Sequence, residues 1–407
     1  MASGKSYICE NSASRRVPAR FVVHTGIDTW GIDYGLLDSG GRLLAEPVAY
    51  RDTRTAGIAE QVHRAIRPED LYTVSGVQFL PFNTVYQLVS EQAGSLWSRA
   101  SHAVLIPDLL AYWLTGELRT EITNASTTGL LDVREGTWSG CLLNALSIPP
   151  GLLPELEHPG TVRGVTADGT PVVTVGSHDT ASAVVGVPAT TEHFAYISSG
   201  TWSLVGLEIE HPVLTEDARR ANFTNEVGID GRIRFLRNVG GLWLLQECLR
   251  EWGGEALHAL LGAAAQRPSG GPRIDVGDPD LVTPGDMPAR IVKAALGGAE
   301  SMERPAIVRC ILDSLADAHA RAIRQASTLA SKDVEVVHVV GGGSQNGLLC
   351  QLTADATALP VLAGPVEATA LGNIAVQARS RGAFPGSLED IRARIAACTP
   401  LGRYEPR

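Results

Sequence analysis

An apolar strand pattern from Val334 to Val340 runs straight into Gly341-Gly342-Gly343-Ser344, and a helix carrying Leu348, Leu349 and Leu352 follows at once. This feature constrains the fold most. A strand that ends in a glycine turn and feeds a helix is a ligand-binding arrangement of α/β sheets. Three successive glycines also carry a backbone-entropy cost that a purely structural turn rarely needs. An amphipathic stripe of Ile307, Val308, Ile311, Leu312, Leu315, Ala322 and Ile323 precedes the strand, and a short strand at Pro360-Val361-Leu362 and a helix from Glu367 follow it.

Two further units share that logic. The buried-strand run Pro171 to Val175 ends in Gly176-Ser177-His178-Asp179-Thr180, then gives way to the small-residue helical segment Ala181 to Val187. Next, Phe194 to Ile197 and Trp202 to Val205 flank Ser198-Ser199-Gly200-Thr201, a predicted hairpin with a hydroxyl-rich tip. Pro188, between these units, is the expected domain boundary.

Upstream, Phe21 to Asp28 and Tyr34 to Leu37 read as strands, and helical patterns cover Ile58 to Ile66, Asn83 to Glu91 and Leu109 to Leu114. The stretches Pro149 to Gly160 and Gly262 to Gly271 read as loops. Residues 1–20 are polar and patternless, so ordered structure is expected to start near Phe21. With 407 residues and roughly 150 per domain, two or three domains are expected.

The chain holds 34 Lys and Arg against 44 Asp and Glu, a net charge of −10, with no cationic block. That argues against a nucleic-acid or anionic-membrane surface. Six scattered cysteines form no CxxC pair and read as reduced, mostly buried thiols. With no signal peptide and no apolar run of membrane-spanning length, a cytoplasmic address is expected.

Familiar nucleotide fingerprints fail. GxGxxG from Gly341 would need glycine where Asn346 stands, and Gly4-Lys5-Ser6 lacks the upstream glycine of a Walker A loop. Two polar glycine turns remain, Ser198 to Thr201 and Gly341 to Ser344. They can aim backbone N–H groups at phosphates and let a nucleoside lie against bare backbone. Asp179 between them can accept the proton of an attacking sugar hydroxyl, or simply cap a helix.

The stretches Gly26-Ile27-Asp28-Thr29-Trp30-Gly31, Tyr50-Arg51-Asp52-Thr53-Arg54, Gln78 to Leu88, Ser177 to Ala183, Ser198 to Ser203 and Gly364 to Asn373 resemble, in order, the FGGY carbohydrate kinases, in particular those acting on L-rhamnulose. The resemblance implies an α/β fold of two actin-like (ribonuclease H-like) domains with a cleft between them. Residues 1–187 would bind the sugar and residues 188–407 would bind ATP. It implies ATP with Mg²⁺ as cofactors, a small-molecule ketose as substrate, and transfer of the γ-phosphoryl group to the 1-hydroxyl of L-rhamnulose by a monomer or homodimer.

By the same resemblance Asp179 is the catalytic base, Gly31, His178, Asp179, Thr180 and Asn238 contact the sugar, and Thr201, Gln246 and Gly342 contact ATP; the metal ligands are unknown. Plainer readings stand beside these: a strand-end turn for Gly31, a structural histidine for His178, an N-cap and a solvated helix face for Asn238 and Gln246, and a β-former for Thr201. The family's opening strand, its Asp-x-Gly-x-x-Ser phosphate loop and the two strands after it have no counterpart ahead of Gly26. The expectation is therefore a truncated N-terminal domain with an unpaired edge and exposed apolar surface. A catalytically silent sugar-binding remnant, or a kinase for another ketose such as L-fuculose or D-xylulose, are the alternatives.

Overall fold

The second half of the chain is built on a seven-stranded sheet ordered Thr224–Val227, Ile233–Gly240, Trp202–Ile209, Phe194–Ser199, Val336–Val340, Val361–Ala363 and Gly402–Tyr404. This computed structural model describes residues 23–254, 256–297 and 301–407. Strand Val336–Val340 runs parallel to Phe194–Ser199 on one side and to Val361–Ala363 on the other. Phe194–Ser199, Trp202–Ile209, Ile233–Gly240 and Thr224–Val227 pair antiparallel. Alternation along each strand sends side chains to opposite faces. Ala195, Ile197, Val205, Leu207, Val337 and Val339 therefore pack on the stripe of helix Arg304–Ala330 that the periodicity predicts. Tyr196, Leu236 and Val340 pack on the other face, against Ala183, Val184 and Ala368. Each fully buried aliphatic contributes about 1.5–3 kcal/mol.

The first half has smaller pieces. Strand Tyr34–Leu37 pairs antiparallel with His102–Leu105, and helices Ile58–Ala65, Pro68–Ser75, Thr84–Glu91 and Ile106–Thr115 surround them. Val62, Leu71, Val85, Leu88, Leu105 and Leu142 form the core there. Apolar surface is exposed on the adjoining elements Ile106–Thr115 and Val162–Val165, at Leu110, Trp113, Leu114, Val162 and Val165. Among the described residues, no helix is long and apolar enough to cross a membrane.

Several expectations need correction. Residues 262–265 continue helix Leu257–Ala265 rather than opening a loop, because the alanine run supports a helix through Gly262. Residues 149–160 are not a plain surface loop: Leu152, Leu153 and Glu157 are buried, and Leu156–Glu157 pairs with Thr120–Glu121. Of the strand expected over Phe21 to Asp28, the described part makes one isolated bridge, Thr25 to Val172, and Thr29 just beyond it bridges His178. Cys248, Cys310 and Cys350 are buried, whereas Cys141 and Cys398 are exposed. The expected disorder of residues 1–20, Gly4-Lys5-Ser6 and Cys9 lie outside the described residues.

Candidate functional site

Asp179 opens helix Asp179–Val185 as its first helical residue, and the N-cap position falls on His178, which makes no side-chain cap bond. The N-cap reading of Asp179 is thereby set aside. Its amide donates to the Thr29 carbonyl at 2.8 Å, so the helix start is tied to the extended 25–29 segment. The carboxylate side chain is 47% exposed and accepts from the Thr180 hydroxyl at 3.2 Å. Thr180 itself is buried and thus supports Asp179.

His178 is wedged between charges. Its Nδ1 lies 3.2 Å from Glu226 and its Nε2 3.6 Å from Asp179. Arg234, fully buried in strand Ile233–Gly240, pairs with Glu226 at 2.9 Å and also reaches Nδ1. Burial opposes ionisation of Glu226, but the Arg234 charge and the His178 bond hold its carboxyl below the usual range. Such a chain fixes the ring beside Asp179. From the other side, the buried Glu121 carboxylate accepts from the Ser177 amide and hydroxyl, and caps the turn at Thr123 and Asn124.

A second carboxylate lies beneath. Asp28 bonds Asn373, and burial pushes its carboxyl up to about 6, with the Asp179 charge adding to that rise. Gly31 is buried against Asn124 and Thr127, where a Cβ would meet Thr127 Oγ1 at 3.1 Å. The next residue, Ile32, has φ +70°, a conformation that β-branched residues avoid. It is held there by Thr84 and Gln87, which donate to its carbonyl at 2.7 and 3.3 Å.

The two polar turns meet. Gly341 (φ +82°) and Gly343 are glycines for packing reasons, since a Cβ there would lie 2.9 Å from the Ser199 carbonyl and 2.0 Å from Ser199 Oγ. Gly342 differs: its Cβ would meet nothing within 4 Å, which leaves the middle of the turn open to a ligand. The entropy argument thus holds for one glycine of the three. Thr201 sits exposed on the hairpin tip, and its carbonyl accepts from Trp243 at the start of helix Trp243–Glu251, where Gln246 lies exposed. Asn238 lies in strand Ile233–Gly240, not at a helix start, and bonds Gln78.

One short segment joins the turn to Asp179. The Pro365 carbonyl accepts from the Gly341 amide at 3.1 Å, and the Thr369 hydroxyl donates to the Asp179 carbonyl at 3.3 Å. Four residues of chain span at most about 14 Å, so the nucleotide-type turn and the carboxylate share one neighbourhood. Thr201, Gly342 and Asp179 are thus gathered by adjoining elements, and Gly31 and His178 join through the 25–31 segment. Residue-by-residue reading missed Gln78, Asp28, Glu226 and Arg234; for the last two, a charged pair alternating into apolar strands was the available signal.

The chain as a whole resembles known proteins. The family models "FGGY family of carbohydrate kinases, N-terminal domain" and "C-terminal domain" match residues 6–186 and 195–381. The rhamnulokinase of Klebsiella pneumoniae (strain 342) is 44% identical over 360 residues, covering 86% of this chain and 74% of that protein. Among solved structures, gluconate kinase from Lactobacillus acidophilus matches with TM-score 0.75 at 17% identity, covering 95% of this chain and 80% of its own. Xylulose kinase from the same organism matches with TM-score 0.73 at 18% identity, covering 94% and 80%. The structural matches show an α/β two-domain sugar-kinase fold, and the sequence matches show that the chain belongs to the FGGY family of carbohydrate kinases.

Proposed function

We propose that the protein phosphorylates L-rhamnulose at its 1-hydroxyl, using the γ-phosphoryl group of ATP and releasing ADP. The observation that carries the reading is segment Pro365 to Thr369, bonded at one end to the Gly341 amide and at the other to the Asp179 carbonyl. The substrate class follows from the 44% identical rhamnulokinase. Residues 1–187 form the sugar domain and 188–407 the nucleotide domain in this reading, with Pro188 falling between the two matched segments. The protein would act in the cytoplasm as a monomer or homodimer.

In that site the Asp179 carboxylate accepts the proton of the attacking hydroxyl, and His178, braced by Glu226, holds the sugar beside it. Gly31, Thr180 and Asn238 complete the sugar contacts. Gly342 and the Thr201 tip fit a nucleotide, because the open turn and the exposed tip leave backbone room for phosphates and a nucleoside. Gln246 lies on the helix that the tip packs against. Bound ATP with Mg²⁺ would supply the phosphoryl group and neutralise its charge. Among the described residues no group of three or more His, Cys, Asp or Glu forms a metal cage, and a magnesium ion held largely by phosphates and water needs none.

The test is coupled ADP release by the purified protein with L-rhamnulose, L-fuculose and D-xylulose. Release with L-rhamnulose above the others is expected, and Asp179→Asn should lower kcat by about 10²-fold or more. An unchanged rate removes Asp179 from the base role. A ketose that raises the melting temperature without any ADP release selects the silent sugar-binding alternative.

A further inference from the structure

We propose that Gln78 is a positioning residue for the sugar: it fixes the Asn238 carboxamide so that Oδ1 is the atom presented to the ligand. The inference rests on the kinase reading above. Gln78 is only 3% exposed. Its Oε1 accepts from the Asn238 backbone amide at 2.8 Å and from Asn238 Nδ2 at 3.0 Å, and its Nε2 donates to the Asn238 carbonyl at 3.3 Å. The two residues are 160 positions apart, one in each half of the chain.

The orientation follows from donor and acceptor chemistry. A backbone amide can only donate and a backbone carbonyl can only accept. Gln78 must therefore aim Oε1 at the Asn238 amide and Nε2 at its carbonyl. With Oε1 committed there, the Asn238 side chain can meet it only through Nδ2. Asn238 Oδ1 then points away from Gln78, and it makes no hydrogen bond within the described residues. A fixed acceptor selects a donor, which for a ketose is a hydroxyl group.

The residues around Gln78 keep it from swinging out. Asn83 Nδ2 donates to the Gln78 carbonyl at 2.8 Å. The Phe79 amide donates to Asn222 Oδ1 at 2.9 Å, and Asn222 Nδ2 donates back to the Phe79 carbonyl at 3.2 Å. One residue upstream of Val77, the Gly76 carbonyl accepts from the Asn225 amide at 2.8 Å. Segment 76–79 is thus pinned to the strands Thr224–Val227 and Ile233–Gly240 at Asn225 and Asn238, and to Asn222 just ahead of the first strand; the bond to Asn238 sets its side chain.

Steady-state ADP release is measured on the full chain for wild type, Gln78→Ala, Gln78→Met, Asn238→Ala and the double variant Gln78→Ala/Asn238→Ala. Gln78→Met keeps the volume while removing the hydrogen bonds. Each Gln78 variant should raise KM for L-rhamnulose about tenfold and leave KM for ATP unchanged, and the double variant should be no worse than Asn238→Ala. A sugar KM within about twofold of wild type in both Gln78 variants, or effects that multiply in the double variant, overturns the proposal. If wild type releases no ADP with any ketose, the kinase reading fails instead. Amide exchange at Asn238 then decides the clasp: acceleration of about tenfold or more in Gln78→Ala sustains it, and unchanged exchange overturns it.

Discussion

Gly372→Ala offers the sharpest test of how the site is built. A Cβ on Gly372 would sit 1.8 Å from the Ser182 carbonyl oxygen, 2.8 Å from its carbon and 3.0 Å from the Gly186 nitrogen. Ordinary contact begins near 3.4 Å, so helices Ala368–Ser380 and Asp179–Val185 must part by about 1.6 Å at this point. The obstacle is backbone, which no rotamer change can relieve, and Gly186 faces the Ala368 carbonyl just as tightly, at 2.2 Å for an added Cβ. The penalty therefore lies at the top of the overpacking range, about 3 kcal/mol. For domains of this size that lowers the melting temperature by roughly 6–12 °C. Gly262→Ala is the control of opposite sign. Gly262 is exposed inside helix Leu257–Ala265 with nothing within 4 Å of an added Cβ, so alanine should stabilise by about 0.8–1 kcal/mol. Differential scanning calorimetry of the three proteins in one buffer reads both effects. The displaced helix carries Asp179 at its first turn, so the same assay samples should show turnover down by about 10²-fold in Gly372→Ala. A Gly372→Ala protein melting within about 2 °C of wild type refutes the close-approach argument, and so does a Gly262→Ala protein that loses stability comparably.

Asp28, whose carboxyl rises from 3.8 to about 6 on burial, binds more protons folded than unfolded across that window, so stability should fall as pH rises from about 4 to 6 and stay lower above it. Asp28→Asn should remove that loss, up to about 3 kcal/mol, and flatten the melting temperature between about pH 4 and 6; equal pH slopes in both proteins would refute the assignment. Gly343→Ala should destabilise because its Cβ would overlap Ser199, whereas Gly342→Ala, with open space around it, should keep the wild-type melting temperature and raise KM for ATP. The reverse pattern would place the nucleotide elsewhere. Glu226→Gln leaves the buried Arg234 charge unpaired and should cost about 3–5 kcal/mol in urea denaturation; a loss below about 1 kcal/mol would mean that water or another group already balances Arg234.

What could be read from the chain was local in sequence. The strands ending at Val340 and Val173 and the hairpin tip at Thr201 each announce themselves within about ten residues, through period and turn chemistry. Their convergence needed the sheet, in which Phe194–Ser199 and Val336–Val340 lie side by side. The glycine triplet shows the limit well: three identical residues carry two different constraints, and only the position of Ser199 tells them apart. The N-cap alternative for Asn238 fails because the register pairs it with Leu204 in mid-strand, which only the sheet reveals. Gln78 and Asp28 lie inside the motifs, yet their roles are not legible there, because their partners Asn238 and Asn373 lie 160 and 345 residues away and no periodicity connects such pairs.

The Asp28–Asn373 pair belongs to a wider set of contacts made by helix Ala368–Ser380. Thr369, Gly372, Asn373 and Gln377 recur at spacings of three and four, so one face of a single helix presents all of them. Thr369 bonds the Asp179 carbonyl, Gly372 admits Ser182, Asn373 holds Asp28 and Gln377 reaches His24. Just before that face, Pro365 receives the Gly341 amide. Asp179, the buried Asp28 carboxylate and the glycine turn are thus all tied to this helix and the segment that leads into it. Other cross-links between the two halves include the buried His178–Glu226 pair, the backbone bond from the Asn225 amide to the Gly76 carbonyl, and side-chain contacts such as Gln78 with Asn238, Tyr50 with Trp202 and Arg51 stacked 4.4 Å over the Trp243 ring. Contacts of this last kind break and re-form at a cost of about 1 kcal/mol each, far less than repacking glycine-lined helices. In the proposed kinase reading, parting the two halves would break such side-chain contacts before it separates this helix pair, and Asp179 would stay near the Gly341–Ser344 turn.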